Sequence, residues 1–140
     1  PLTRQKFRND DNARISFHAL DIFTDPLPTN AYDLALLSAV LGDWDEEKRA
    51  KIVAEAWRSV KPGGALLISE TLLNDDENGP AQTVMLSFYV AALTGGGGNF
   101  SAREWRQFLH GLDINNIEIV RDRESGFRDL LICRKPQSIK

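Results

Sequence analysis

Tyr32-Asp33-Leu34-Ala35-Leu36-Leu37-Ser38-Ala39-Val40-Leu41-Gly42-Asp43-Trp44 is the most informative run in this 140-residue chain. Leu34 to Leu41 is almost unbroken apolar sequence of strand length, the pattern of a parallel strand covered on both faces by helices. The polar break comes at Gly42-Asp43-Trp44, and Asp45-Glu46-Glu47 then opens a helix, with acids at the positive end of its dipole. A strand, a short polar loop and a helix N-terminus in succession form the carboxyl-end crevice in which open α/β sheets bind ligands.

The flanking segments extend this unit. Upstream, Ile15, Phe17 and Ala19 alternate with Ser16 and His18, which predicts a strand over 15–20 with one polar face. Asp21-Ile22-Phe23 ends it, and Asp25-Pro26-Leu27-Pro28-Thr29-Asn30 is a breaker loop. Downstream, Ala50, Ile52, Val53, Ala56, Trp57 and Val60 fall on helical spacing, with Glu47, Lys48, Lys51, Glu55 and Arg58 on the other face. This helix, near 46–60, is expected to stop at Lys61-Pro62-Gly63-Gly64, with glycine as its left-handed cap. Ala65 to Ser69 reads as a second buried strand carrying Glu70 at its carboxyl end, joined to the first by a right-handed parallel crossover.

Further helices are expected near 80–93 and 101–110, the second opened by the capping box Ser101-Ala102-Arg103-Glu104. In the first, Val84, Met85, Phe88, Tyr89 and Ala92 form an apolar stripe that suits either core packing or a pocket wall. Gly95 to Gly98 reads as a flexible run and not a Walker loop, since no Gly-Lys-Ser/Thr follows. Ile114–Arg121 and Phe127–Arg134 read as a hairpin. The strands near 15–20, 32–38, 65–70 and 127–134 are expected to be of parallel type and the one near 114–121 antiparallel. The fold class is therefore α/β, a partial Rossmann-like sheet, mostly parallel with a C-terminal antiparallel hairpin, in one domain over 1–140.

Composition narrows the function classes. With 42% hydrophobic and 26% charged residues the chain is globular in type, and no apolar run approaches the ~20 residues of a membrane span. The net charge is −3 without a basic block, which disfavours nucleic acid or an anionic membrane as partner. The single Cys133 cannot form a disulfide within these residues, and no metal-ligand set is read. No secretory or anchor motif is present, so a cytoplasmic location is expected.

Leu41-Gly42-Asp43-Trp44-Asp45-Glu46-Glu47, twenty residues after Leu20-Asp21-Ile22-Phe23 and followed by Lys61-Pro62-Gly63-Gly64, resembles the small-molecule O-methyltransferases that use S-adenosylmethionine, of the plant and acetylserotonin O-methyltransferase type. The usual family forms are Gly-Asp-Phe-Phe, Leu-His-Asp-Trp and Lys-Pro-Gly-Gly, and the match runs in register from about Arg14 to Lys135. The resemblance implies a class I methyltransferase sheet, S-adenosylmethionine as cofactor and a small, aromatic acceptor. It assigns Asp21 and Ile22 to the adenine and Ser38, Asp43 and Trp44 to the cofactor edge, while Met85, Phe88 and Tyr89 fall on the helix that lines the acceptor pocket.

The same comparison locates the departures. The family's histidine base falls on Gly42, which has no side chain; the carboxylate that orients that histidine is kept as Glu70; the third family acid falls on Asn99. Methyl transfer from a sulfonium is an in-line displacement that rests mainly on positioning, and a base matters only when the acceptor must lose a proton. The expected function is methylation of an acceptor oxygen or nitrogen that is already nucleophilic. A fold-retaining binding or scaffold protein and a homologue with other chemistry are the alternatives.

The chain opens on Pro-Leu-Thr-Arg, and no Gly-x-Gly-x-x-Gly follows an early strand. Relative to the family, the first two strands and an N-terminal dimerisation domain are absent, so the chain is expected to be a fragment of a homodimeric protein. The 140 residues alone are predicted to bind S-adenosylmethionine poorly or not at all by calorimetry; micromolar affinity in a fully ordered monomer is the contrary result.

Overall fold

The computed structural model describes residues 15–76, 78–122 and 128–137. The elements run β1 (Tyr32–Ser38), α1 (Glu46–Ser59), β2 (Val60–Glu70), α2 (Ala81–Thr94), α3 (Ala102–Gly111), β3 (Ile117–Val120) and β4 (Asp129–Arg134). They build one sheet in the order β1-β2-β4-β3. The β1 and β2 strands pair in parallel, from Leu34 opposite Ala65 to Ser38 opposite Ser69, with α1 as their crossover.

Two strand assignments differ from the sequence reading. The antiparallel strand is β4, which pairs antiparallel with both β2 and β3, so β3 shares the direction of β1 and β2. The short 121–128 connection leaves no room for a crossover, and once β4 lies against β2 the hairpin fixes the direction of β3. Residues 15–20 form no strand; Ile15 and Leu20 are exposed. Their alternation is real, but among the described residues no strand offers them a ladder, and backbone groups without one stay hydrated. Phe127 and the predicted 122–126 turn lie largely outside the described residues.

Register explains where the core sits. Leu37, Ile68, Leu131 and Ile119 align across the four strands, as do Ala35, Leu66, Cys133 and Ile117, so these residues share one face. That face packs against Ile52, Val53 and Ala56 of α1 and Trp105 and Leu109 of α3. Leu34 and Leu36 point to the opposite face and are 53% and 57% exposed. The expectation of a strand covered on both faces is thus corrected: among the described residues helices cover one face only. Cys133 lies in the covered face, and burial pushes its thiol up to about 12, which keeps it a neutral core group.

The α1 helix begins at Asp45, whose Oδ1 accepts from Lys48 N at 2.9 Å. Its end also departs from expectation: the cap is Val60 in extended geometry, and Lys135 Nζ donates to the carbonyls of Trp57 and Val60. A cation there complements the negative end of the helix dipole. The Lys61-Pro62-Gly63-Gly64 segment belongs to β2, where the register shifts between Tyr32 and Leu34. The α3 helix carries the expected capping box, with Glu104 Oε2 accepting from Ser101 N at 2.7 Å.

Gly64 is required by close approach, since a Cβ there would lie 2.5 Å from the Asp33 carbonyl oxygen. Gly64→Ala is predicted to cost roughly 1–3 kcal/mol by overpacking. Gly111→Ala, with open space around it, should be neutral or stabilise α3 by up to ~1 kcal/mol. Urea unfolding of the two variants checks both; an unaltered midpoint for Gly64→Ala would contradict the packing.

Candidate functional site

The site is assembled where β1 and β2 end. The β1 strand stops at Ser38, and Ala39 turns the chain with φ of 50° while its N–H donates to the Ser69 carbonyl at 3.0 Å. Beyond that point Glu70 takes over the pairing: its Oε1 accepts from Val40 N at 3.1 Å and from Leu41 N at 3.0 Å. This drives Leu41 into the core, where it is fully buried, and presents Gly42 at the surface of a cavity of about 200 Å³. Gly42, Asp43, Glu70, Thr71, Asn99 and Arg128 supply its polar wall, and Leu86 and Val90 of α2 its apolar one.

Glu70 is 7% exposed, and burial raises its carboxyl above the usual range, against the pull of the Leu41 and Val40 amides and the more distant Arg128 and Arg49 charges. One oxygen is committed to the backbone. The other, Oε2, lies 4.0 Å from where a Cβ on Gly42 would stand. The opposite wall is the glycine run: Gly98 N donates to the Gly42 carbonyl at 2.8 Å, and a Cβ on Gly97 would fall 2.4 Å from that same oxygen. Asn99 is fixed beside it, with Nδ2 donating to the Thr71 carbonyl at 2.7 Å and its own N–H to Ser87 Oγ at 3.0 Å. The expected flexible run is thus docked on the β1 loop.

The structure brings Gly42, Asp43, Glu70 and Asn99 together and leaves other predicted residues apart. Asp21 forms a local turn in which Oδ1 accepts from Phe23 N at 2.9 Å. Phe23 then packs edge-on against Trp44, centroids 4.9 Å apart, so the 21–25 turn and the Asp43-Trp44 loop are neighbours. Ile22 lines a separate hollow of about 210 Å³ with His18, Leu20 and Ile52. Ser38 is exposed at the end of β1 and does not line the cavity.

Met85, Phe88 and Tyr89 are 67%, 74% and 61% exposed and do not line the cavity, so among the described residues that stripe is neither core nor cavity wall. The inward side of α2 is instead Thr83, Leu86, Ser87 and Val90. Because α2 is apolar nearly all round, its sequence does not mark which side faces in. Of the residues expected to cradle the cofactor, only Asp43 lines this cavity, which is smaller than the ~300–1,000 Å³ usual for ligand sites. The described residues therefore fit S-adenosylmethionine only in part. A larger hollow, about 650 Å³, lies between α1 and α3 and holds none of the predicted site residues.

Two charged residues were missed. Arg128 lines the cavity from the segment preceding β4. Arg49 is 2% exposed on α1, with Nε donating to the Leu41 carbonyl and Nη2 to those of Trp44 and Gly98. A signal for Arg49 existed: it precedes Ile52, Val53 and Ala56 by three, four and seven positions, which places it on the buried stripe.

Residues 2–112 match the family model described as the O-methyltransferase domain. Among curated relatives, the 3-hydroxy-5-methyl-1-naphthoate 3-O-methyltransferase of Streptomyces sahachiroi is 36% identical over 113 residues, 81% of this chain and 32% of the relative. The crystal structure of an O-methyltransferase family 2 protein from Planctomyces limnophilus in complex with apigenin superposes with a TM-score of 0.74 at 36% identity, covering 84% of this chain and 34% of that one. Human N-acetylserotonin methyltransferase in complex with SAM gives a TM-score of 0.80 at 27% identity, covering 94% and 37%. The chain thus spans about a third of the length of the relatives it matches.

Glu70 carries the site's testable energetics. Glu70→Ala leaves two amides without their acceptor and should cost roughly 1–3 kcal/mol for each. Glu70→Gln keeps a carbonyl acceptor. Because the folded carboxyl binds its proton more tightly than the unfolded one, ionisation opposes folding as pH rises through the raised value. Glu70→Gln is therefore predicted to be at least as stable as the parent at pH 7, with the difference shrinking toward acid, in urea titrations across pH. A large loss at pH 7 alone would contradict it.

Proposed function

This chain belongs to the O-methyltransferase domain family, and from that premise we propose that its protein transfers the methyl group of S-adenosylmethionine to a small, aromatic acceptor that needs no histidine base. The observation that carries the reading is Gly42: it stands at the family's base position, on the wall of the cavity, facing Glu70 Oε2 across empty space. S-adenosylmethionine, when bound, supplies an electrophilic methyl group on a sulfonium. Asp21, Ile22, Asp43 and Trp44 are the residues proposed to hold it, with Ser38 at the rim, and the acids among them suit a cation.

On the acceptor side, Gly42 and Asn99 leave room beside the reacting atom, Leu86 and Val90 offer dispersion contacts to a flat ring, and Arg128 contributes a fixed positive charge. Glu70 holds the loop through Oε1, which is committed to two backbone amides, and can accept a hydrogen bond through Oε2. Acceptors that fit are a ring or amine nitrogen, or a phenol acidic enough to ionise unaided. Met85, Phe88 and Tyr89 meet an acceptor only from the outer side of α2, and we assign them to contacts made by another segment or subunit. A cytoplasmic homodimer completes the reading. No described helix is long and apolar enough to cross a membrane.

A second reading, a binding protein that keeps the fold without the reaction, is favoured by one observation: Glu70 Oε1 is already occupied by two backbone amides.

Gly42→His separates the two. A Cβ there meets nothing closer than 3.8 Å, so the imidazole can enter beside Glu70. In the full-length protein the parent is expected to methylate amines or acidic phenols, and the variant to gain about 10²–10⁴-fold on ordinary phenols while amine methylation persists. Absence of methylation by both proteins across an acceptor panel would favour the binding reading.

A further inference from the structure

We propose that Arg49 is a positioning residue for methyl transfer, a clamp whose guanidinium holds the Gly42 wall of the cavity against the Gly98–Asn99 wall; this rests on the reading of that cavity as the transfer site. From the first turns of α1 its Nε donates to the Leu41 carbonyl at 3.1 Å, and Nη2 donates to the Trp44 carbonyl at 3.2 Å and the Gly98 carbonyl at 2.9 Å. The guanidinium carbon sits 4.0 Å from the centroid of the Phe100 ring, one residue beyond Asn99. One planar group thus touches both ends of the Leu41–Trp44 loop and the glycine run. The direct bond from Gly98 N to the Gly42 carbonyl closes the link from the other side.

Physical chemistry gives this arrangement its purpose. Glycines are needed in the run, because a side chain at Gly97 would strike the Gly42 carbonyl. They also leave that segment with the largest backbone freedom to lose. A tether is required, and a planar fork of donors serves several carbonyls where an ammonium serves as a point charge. The tether is costly: Arg49 Nη1 is buried with no partner, and burial pulls the guanidinium below its usual value. An apolar replacement removes that unmet group but leaves the Leu41, Trp44 and Gly98 carbonyls short of a donor, so its effect on stability is mixed while its effect on the tether is direct. The contribution of Arg49 is therefore to the geometry of the two walls, where displacements near ~1 Å can cost about 10²-fold in rate.

Amide exchange and kinetics on the full-length protein test this. In Arg49→Met, exchange at the Gly98 and Trp44 amides should accelerate at least tenfold, while the sheet amides of Leu66 and Leu131 stay within twofold. The kcat should drop about tenfold or more, and in Arg49→Ala millimolar guanidinium should restore part of it. If Arg49→Ala does not fold, Arg49→Met decides the matter alone. Unchanged exchange at Gly98 and Trp44 would overturn the clamp, and so would uniform acceleration through the sheet, which marks a merely structural role. Exchange needs neither cofactor nor acceptor, so absence of methylation by the parent counts against the transfer reading and not against the clamp.

Discussion

A single carboxylate oxygen, Glu70 Oε1, receives the amides of Val40 and Leu41 just where the β1–β2 ladder ends. Two buried backbone donors left without an acceptor would be costly, and one side-chain oxygen that receives both fixes the loop where strand pairing cannot. Leu41 is thereby held in the core, Gly42 at the cavity and Asp45 at the start of α1. The other oxygen of the same group faces the cavity, so the residue that builds the site is also its buried acid.

Because the loop is fixed from β2, what lies beyond it depends on contacts rather than on regular structure. The Gly98 amide, the Asn99 side chain and the Arg49 guanidinium join three segments distant in sequence. The sheet itself is one-sided. Leu34 and Leu36 are bare on its open face, and β1 is an edge strand among the described residues. An apolar strand with an unpaired flank is a surface that other chain segments can cover, and the exposed Met85, Phe88 and Tyr89 of α2 have the same character.

Much of the fold was legible because its signals are local. The stripe Ile52, Val53, Ala56, the capping box at Ser101 and Glu104, and the apolar run ending before Gly42 each name an element without reference to the rest of the chain. Pairing was less so: the direction of β3 follows from β4 lying against β2, a fact no local pattern carries, and the alternation over 15–20 could not reveal that no strand would pair with it. In the site, Gly42, Asp43, Glu70 and Asn99 were found and do meet. Leu86 and Val90 were missed because an all-apolar helix hides its facing, and Arg49 because a charge at a stripe position was assigned to neither face of the helix.

On the proposed reading, Gly42 leaves the site without a histidine base, and acceptor ionisation governs the chemistry. The direct measurement is kcat/KM against pH for a series of acceptors of graded pKa on the full-length protein. The inflection is expected to move with each acceptor's own pKa. An inflection at one fixed pH for every acceptor, as an enzyme base near the ~6.5 of histidine would give, would contradict it.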